Sequence, residues 1–256
     1  MTASAPKLND IRAVFFDAGN TLLQADPPVA IRYAETANRY GAGADPDSIQ
    51  DRFVTLWTVF QKQRQAMLFK TTRHGTKRFW NLFVAEVFAP WREQFSDFDA
   101  FFEELYLAFA SHTAWVTYDD ALPTLQALQQ RNIRLAVVSN WDDRLTGILN
   151  GQKLTHFFEE IIISSEEGVE KPALELFSVA LDRMGVEPRQ VIHVGDSLSD
   201  DVYGALAAGI HPALIHRNDA PLSATVPRQN GPKVEGNPEA PWYSLTDLRQ
   251  LMDLID

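Results

Sequence analysis

Short apolar runs bounded by polar residues recur along the chain: IRAVFFD at 11–17, RLAVVS at 134–139, EIIIS at 160–164, QVIHVG at 190–195 and HPALI at 211–215. Runs this short and this continuous suit strands buried on both faces, which is the condition of a parallel sheet. Helical periodicity falls between them at 121–130, 144–150, 174–184 and 200–208. Strands alternating with helices of this length imply crossover connections, and so a Rossmann-like α/β core whose parallel sheet is covered by helices.

Residues 24–115 break that rhythm. They read as amphipathic helices rich in aromatics (Trp57, Phe60, Phe79, Trp80, Phe83, Phe88, Trp91, Phe101, Phe102) with no convincing strand. A block of this size cannot be one crossover, so it is expected to be an all-helical cap domain inserted over the carboxyl edge of the sheet. The core domain is then discontinuous, formed by 1–23 and 116–256. Helical spacing of large apolar residues is an ordinary packing signal, so the aromatics are expected to form the cap's own core. Residues 217–241, rich in Pro, Asn, Gly and Ala, read as a long surface loop, after which Ser244 is expected to cap a last helix over 245–255.

A chain of 256 residues is long enough for a core with an inserted lobe. The absence of cysteine excludes a disulfide framework and a thiolate metal site, and favours an intracellular protein. The opening MTASAPKLNDIRAVFFD lacks a secretory signal, and no stretch approaches the roughly 20 apolar residues of a membrane span, so the cytoplasm is the expected location and a membrane is no partner. A net charge of −11 argues against nucleic acid but leaves small phosphate esters open. Monomer and homodimer are equally compatible with the sequence.

Ligands of open parallel sheets bind outside the carboxyl ends of the strands. Asp17 follows the first run, Ser139 ends the second, Lys171 lies in the loop after the third, and Asp196 and Asp201 follow the fourth. Each has an ordinary alternative: Ser139 as a helix N-cap, Lys171 as a surface lysine, and the acids as helix-opening residues favoured by the dipole. Together they form a coherent set. Carboxylates from two strands can chelate a hard cation through oxygen, a lysine offsets negative charge, and a serine hydroxyl holds phosphoryl oxygens.

Four segments carry a resemblance: FFDAGNTL at 15–22, VVSNWD at 137–142, GVEKPALELF at 168–177 and HVGDSLSDDVYGALAAG at 193–209. In type and order they resemble the haloacid-dehalogenase-like hydrolases, most of which are magnesium-dependent phosphatases, and the insertion is similar to the helical cap of many members. The resemblance implies a small-molecule phosphate ester as substrate and Asp17 as a nucleophile that becomes an aspartyl phosphate. It implies Mg²⁺ held by Asp17, Asp196 and the Gly19 carbonyl, with Asp201 as a nearby ligand or outer acid and Asp200 a lesser candidate. It places Ser139, Asn140 and Lys171 on the transferring group, with Lys171 screening Asp17, and Thr21 in support.

One position departs from the family pattern. Phosphatases of this family carry a second Asp two places after the nucleophile, which protonates the leaving group, and this chain has Gly19 there. General acid–base catalysis contributes roughly 10²–10⁴-fold, so its loss matters. Three readings follow. The protein is a phosphohydrolase that uses a good leaving group or borrows a donor such as His74, Arg64, Arg73 or Lys77 from the basic stretch 62–78. Or it is a relative that breaks a carbon–halogen or carbon–phosphorus bond, although nothing marks Lys62, Lys70 or Lys77 as an imine-forming residue. Or it is a phosphate-binding or regulatory protein with little catalysis.

Overall fold

The computed structural model describes residues 8–66, 72–217 and 242–255, and no side chains for 61–66 or Arg73. At its centre is β1 (Ala13–Phe16), where every residue is buried because both faces of the strand are covered. Its side chains alternate, Val14 and Phe16 entering one hydrophobic core and Ala13 and Phe15 the other. After β2 (Leu23–Ala25) come the insertion helices α1 (Val29–Arg39), α2 (Pro46–Ala66), α3 (Arg73–Val87) and α4 (Phe98–Ala108), and β3 (Trp115–Thr117) closes the excursion. The chain continues through α5 (Ala121–Gln130), β4 (Arg134–Ser139), α6 (Arg144–Gly151), β5 (Glu160–Ile163), the short α7 (Ser164–Glu167) and α8 (Leu174–Met184). It ends with β6 (Val191–Gly195), a π turn at Leu198–Val202 running into α9 (Tyr203–Ala207), β7 (His211–Ile215), β8 (Tyr243–Leu245) and α10 (Leu251–Leu254).

The six-stranded sheet has the order β5-β4-β1-β6-β7-β8, and every pairing in it is parallel. Helices α5, α6 and α10 bury Leu125, Leu128, Ile148, Leu149 and Leu251 against one face, while α8 and α9 bury Leu176, Phe177, Ala180 and Ala205 against the other. This is the expected α/β fold with a helical insertion. The order also puts β1 between β4 and β6, so the ends of three neighbouring strands open onto one crevice.

The insertion has a core of its own. Phe53 meets Phe83 edge-on at 4.8 Å, Phe88 meets Phe101 at 5.0 Å, and Trp57 stacks on Trp80 at 5.6 Å. One feature corrects the sequence reading at its margins. Leu23–Ala25 and Trp115–Thr117 form a small antiparallel ribbon, with Leu23 opposite Thr117 and Ala25 opposite Trp115. Three-residue strands leave too short an alternation to be seen in the sequence.

A second correction falls near the carboxyl terminus. Ser244 caps no helix: it lies in β8 opposite Leu214, its hydroxyl 2.9 Å from His216 Nε2. The buried–exposed–buried pattern of Tyr243–Leu245 is that of a strand, and the helical turns begin after Asp247, whose carboxylate accepts the Arg249 N–H at 2.9 Å. The helix expected over 200–208 opens earlier and with a π turn, because the N–H groups of Asp201 and Val202 both reach the Ser197 carbonyl, at 3.0 and 3.2 Å. Of the expected surface loop, residues 218–241 lie outside the described residues.

Candidate active site

Asp17 leaves the end of β1, and its N–H donates to the Val194 carbonyl of β6 at 2.8 Å. Ser139, the last residue of β4, is buried beside it and donates toward its carboxylate. Asp196 follows the last residue of β6. In the turn after Asp17, Asn20 adopts a left-handed φ of 51° and hydrogen-bonds Asp196 through its side chain. Gly19 shares that turn, bridged to Leu23, with the six-membered ring of Trp141 over it.

Lys171 comes from the loop between α7 and α8. It is 3% exposed, and its Nζ lies 2.7 Å from Asp17 Oδ1 and 2.6 Å from Asp201 Oδ1. Its backbone is clamped by Asn140, whose Oδ1 accepts the Lys171 N–H at 2.7 Å while its Nδ2 donates to the Lys171 carbonyl at 2.9 Å. Asn140 therefore fixes the loop that presents the ammonium.

The π turn brings Asp201 back under β6. Its carboxylate packs so closely on Gly195 that a Cβ there would stand 2.0 Å from Asp201 Cγ, so no other residue fits at position 195. Asp201 Oδ2 accepts the Ser197 N–H at 3.0 Å, and Oδ1 takes both Lys171 and His193 Nε2, the latter at 2.8 Å. His193 is fully buried in β6 and lies edge-on to Phe177 at 5.1 Å. Burial pushes its imidazole below the ordinary value despite the Asp201 bond, so the ring is neutral. A carboxylate only accepts, so His193 Nε2 carries the proton and donates it.

Burial works against the Lys171 ammonium, but Asp17 and Asp201 outweigh it and hold the group above its ordinary value. Burial likewise pushes Asp201 up, and Lys171 with the His193 bond overrides it, leaving that carboxylate ionised below its usual range. Asp17 and Asp196 go the other way. Burial raises both, Asp196 strongly, with the charges of Asp17 and Asp201 adding to it.

Three carboxylates therefore share one positive charge. Asp17, Asp196 and Asp201 each offer an oxygen within 4.8 Å of the others, a hard-donor set suited to Mg²⁺, and the raised Asp196 carboxyl marks where positive charge is wanting. Thr21 is fully buried, its hydroxyl without a hydrogen-bond partner among the described residues and its carbonyl accepting from Arg217 at 2.5 Å.

Among the described side chains, Tyr106 and Trp115 of the insertion reach the core. Tyr106 of α4 donates to Asp142 Oδ2 at 2.9 Å, and Arg144, paired with Asp142 at 2.8 Å, lies 3.8 Å over the Tyr106 ring. Trp115 meets Trp141 edge-on at 4.9 Å. Lys77 pairs with Glu103 at 2.7 Å inside the insertion, and His74 is exposed, with no described contact joining either to Asp17. The side chains of Lys62, Arg64 and Arg73 and the whole of Lys70 lie outside the described residues. Among the described residues, no helix is long and apolar enough to cross a membrane.

Comparison with known proteins finds a matching family model, sequence relatives and a neighbour in fold. The haloacid dehalogenase-like hydrolase family model matches residues 11–209. A mouse relative, haloacid dehalogenase-like hydrolase domain-containing protein 3, is 30% identical over 256 residues, covering 96% of this chain and 95% of that one. The glyceraldehyde 3-phosphate phosphatase of Methanopyrus kandleri is 30% identical over 143 residues, 54% of this chain and 56% of its own. In structure, the Bacillus subtilis HAD-hydrolase YfnB bound to magnesium superposes with a TM-score of 0.74 at 19% identity, covering 98% of this chain and 100% of that one.

Proposed function

The chain belongs to the haloacid dehalogenase-like hydrolases, and we propose that within them it is a magnesium-dependent phosphatase that cleaves a small phosphate ester through an aspartyl phosphate on Asp17. The observation that carries the reading is the buried Lys171 ammonium held between Asp17 and Asp201. A nucleophilic carboxylate has to approach a phosphoryl group of its own charge, and a fixed ammonium beside it lowers that repulsion without reorganising.

In this reading Asp17 attacks phosphorus, Ser139 and Lys171 hold the phosphoryl oxygens, and Asn140 keeps Lys171 in place. Asp17, Asp196 and the Gly19 carbonyl would hold Mg²⁺, with Asp201 anchoring Lys171 and standing next to the metal. Bound there, the cation supplies charge stabilisation to the transferring group. The segment 24–115 serves as the cap that closes over the site. The phosphatase among the similar proteins supports a phosphate ester as the substrate class.

The test is turnover of an aryl phosphate with Mg²⁺ by the parent and by Asp17→Asn, together with acid trapping of phosphoenzyme. The variant should lose both signals, and equal turnover by the two proteins would remove Asp17 from the role. A second reading, a phosphate-binding protein with little catalysis, has one observation in its favour: position 19 bears no proton donor. Parent protein that neither releases phosphate nor traps phosphoenzyme over a broad ester panel would favour it.

A further inference from the structure

A residue missing its functional side chain can leave room for water or a substrate group, or the room can be filled by something else. At Gly19 it is filled. A Cβ built there would lie 3.1 Å from Trp141 Cζ3, 3.9 Å from Cη2 and 4.0 Å from Cε3, so the outer edge of the indole crowds the point where a side chain at position 19 would begin, by a few tenths of an ångström. Contact at 3.1 Å is tighter than ordinary carbon packing at about 3.5–4.0 Å, so either the indole or the backbone would have to give way.

Trp141 is held at its backbone and along one side of its ring. Its backbone N–H donates to the Ser139 carbonyl at 3.0 Å, and its own carbonyl accepts from the Ser164 hydroxyl at 3.1 Å and the Ser165 N–H at 3.2 Å. Its ring rests edge-on against Trp115, whose Nε1 is in turn tied to the Phe109 carbonyl at 3.1 Å. Ser139 belongs to the candidate site, and Trp115 lies at the end of the insertion. Trp141 thus joins the phosphoryl end of the crevice to the cap.

We propose that Trp141 is a specificity-determining residue: it occupies the general-acid position beside Asp17 and restricts the enzyme to esters whose leaving oxygen departs as a stable anion, namely aryl, enol or acyl phosphates. This rests on the phosphatase reading above. In the first step a carboxylate oxygen of Asp17 bonds to phosphorus as the bond from phosphorus to the leaving oxygen breaks. The electron pair stays on that oxygen, which leaves as phenolate, enolate or carboxylate and takes no proton in the step. In the second, water bonds to phosphorus, the bond to Asp17 breaks with its electron pair returning to the carboxylate, and the water's proton passes to the released phosphate or to solvent. The leaving group there is the Asp17 carboxylate, again a stable anion. An alkoxide lacks this option, and neither an indole edge nor a glycine can donate the proton it needs.

The experiment compares the parent, Gly19→Asp, Trp141→Ala and the double variant Gly19→Asp/Trp141→Ala, each with Mg²⁺, on p-nitrophenyl, phenyl and simple alkyl phosphates. The parent should turn over p-nitrophenyl phosphate at least about 100-fold faster than an alkyl phosphate, with rates falling steadily as the leaving oxygen becomes more basic. Gly19→Asp alone should gain little on alkyl esters, because the indole blocks the new side chain. The double variant should raise the ratio of alkyl to p-nitrophenyl turnover roughly 10²-fold or more above the parent's, whatever its absolute rate. Melting curves for each protein, and a Trp141→Phe companion that keeps an aromatic ring against Trp115, separate this from loss of folding.

Equal parent rates on aryl and alkyl esters overturn the inference, as does a gain by Gly19→Asp alone that matches the double variant. Those outcomes leave the phosphatase reading intact. Absence of turnover and of phosphoenzyme in the parent on p-nitrophenyl phosphate overturns the phosphatase reading, and this inference with it.

Discussion

Lys171→Met keeps an unbranched stem in the buried loop and removes the ammonium that bridges Asp17 and Asp201. Both carboxylates are buried, and the side chains of Lys171 and Asp201 are each only 2% exposed, so water cannot replace the lost charge. Removing one partner of a buried ion pair costs about 3–5 kcal/mol. At this chain length that lowers the melting temperature by roughly 6–20 °C, measured without metal at pH 7.5. The pH dependence is the sharper test. In the parent, Asp201 lies below its ordinary value, so its contribution is present above the unfolded carboxyl pKa and fades as the pH falls toward the folded one. In the variant burial is left without the lysine, so the folded carboxyls lie above their unfolded values and folding takes up protons. Stability of the variant then rises as the pH falls from neutral toward about 4, and the gap to the parent narrows. Mg²⁺ at neutral pH should narrow it as well. A gap under about 1 kcal/mol at pH 7.5, or one unchanged at pH 4.5, would refute the reasoning.

Mg²⁺ should displace protons from Asp196 and Asp17, both raised by burial, so its apparent affinity should strengthen with rising pH; titration calorimetry in buffers of different ionisation enthalpy reads the release, and heats independent of buffer would count against it. His193→Phe takes a donor from Asp201 and should cost about 1–3 kcal/mol and lower kcat more than it changes KM, whereas His193→Gln, which keeps an N–H, should recover part of both. Equal losses in the two variants would assign the effect to packing against Phe177. Tyr106→Phe removes the bond to Asp142 between insertion and core and should cost about 1.5–3 kcal/mol in denaturant unfolding, and an unchanged midpoint would mean the contact is not made in solution.

The parallel core was legible because strands buried on both faces leave continuous apolar runs, and Asp17, Ser139 and Asp196 stand at the ends of such runs; Lys171, beyond α7, and Asp201, in the π turn, are brought to Asp17 only by the fold. Elements defined by three residues were not legible: Tyr243–Leu245 alternates for too short a distance, and Ser244 within it resembles a helix cap. The π turn was hidden because one extra residue in a turn hardly disturbs helical periodicity, although it is what carries Asp201 back to Gly195. His193 is hidden inside an apolar run, where periodicity reports burial and nothing else. The signal was there, since an imidazole in a fully buried strand must find a polar partner.

Asn140 shows what a motif leaves unsaid. Its amide is engaged with both backbone groups of Lys171, a partnership between residues far apart in the chain that no local pattern displays. Gly19 makes the same point in a form that changes the chemistry. Read in sequence it is a missing acid, and restoring that acid looks like a single substitution. Read in three dimensions it is one half of a pair, because Trp141 fills the space and is itself held by Ser139, Ser164, Ser165 and Trp115. Proton donation at this position is thus a joint property of residues 19 and 141, and changing one without the other should leave the choice of leaving group where it is.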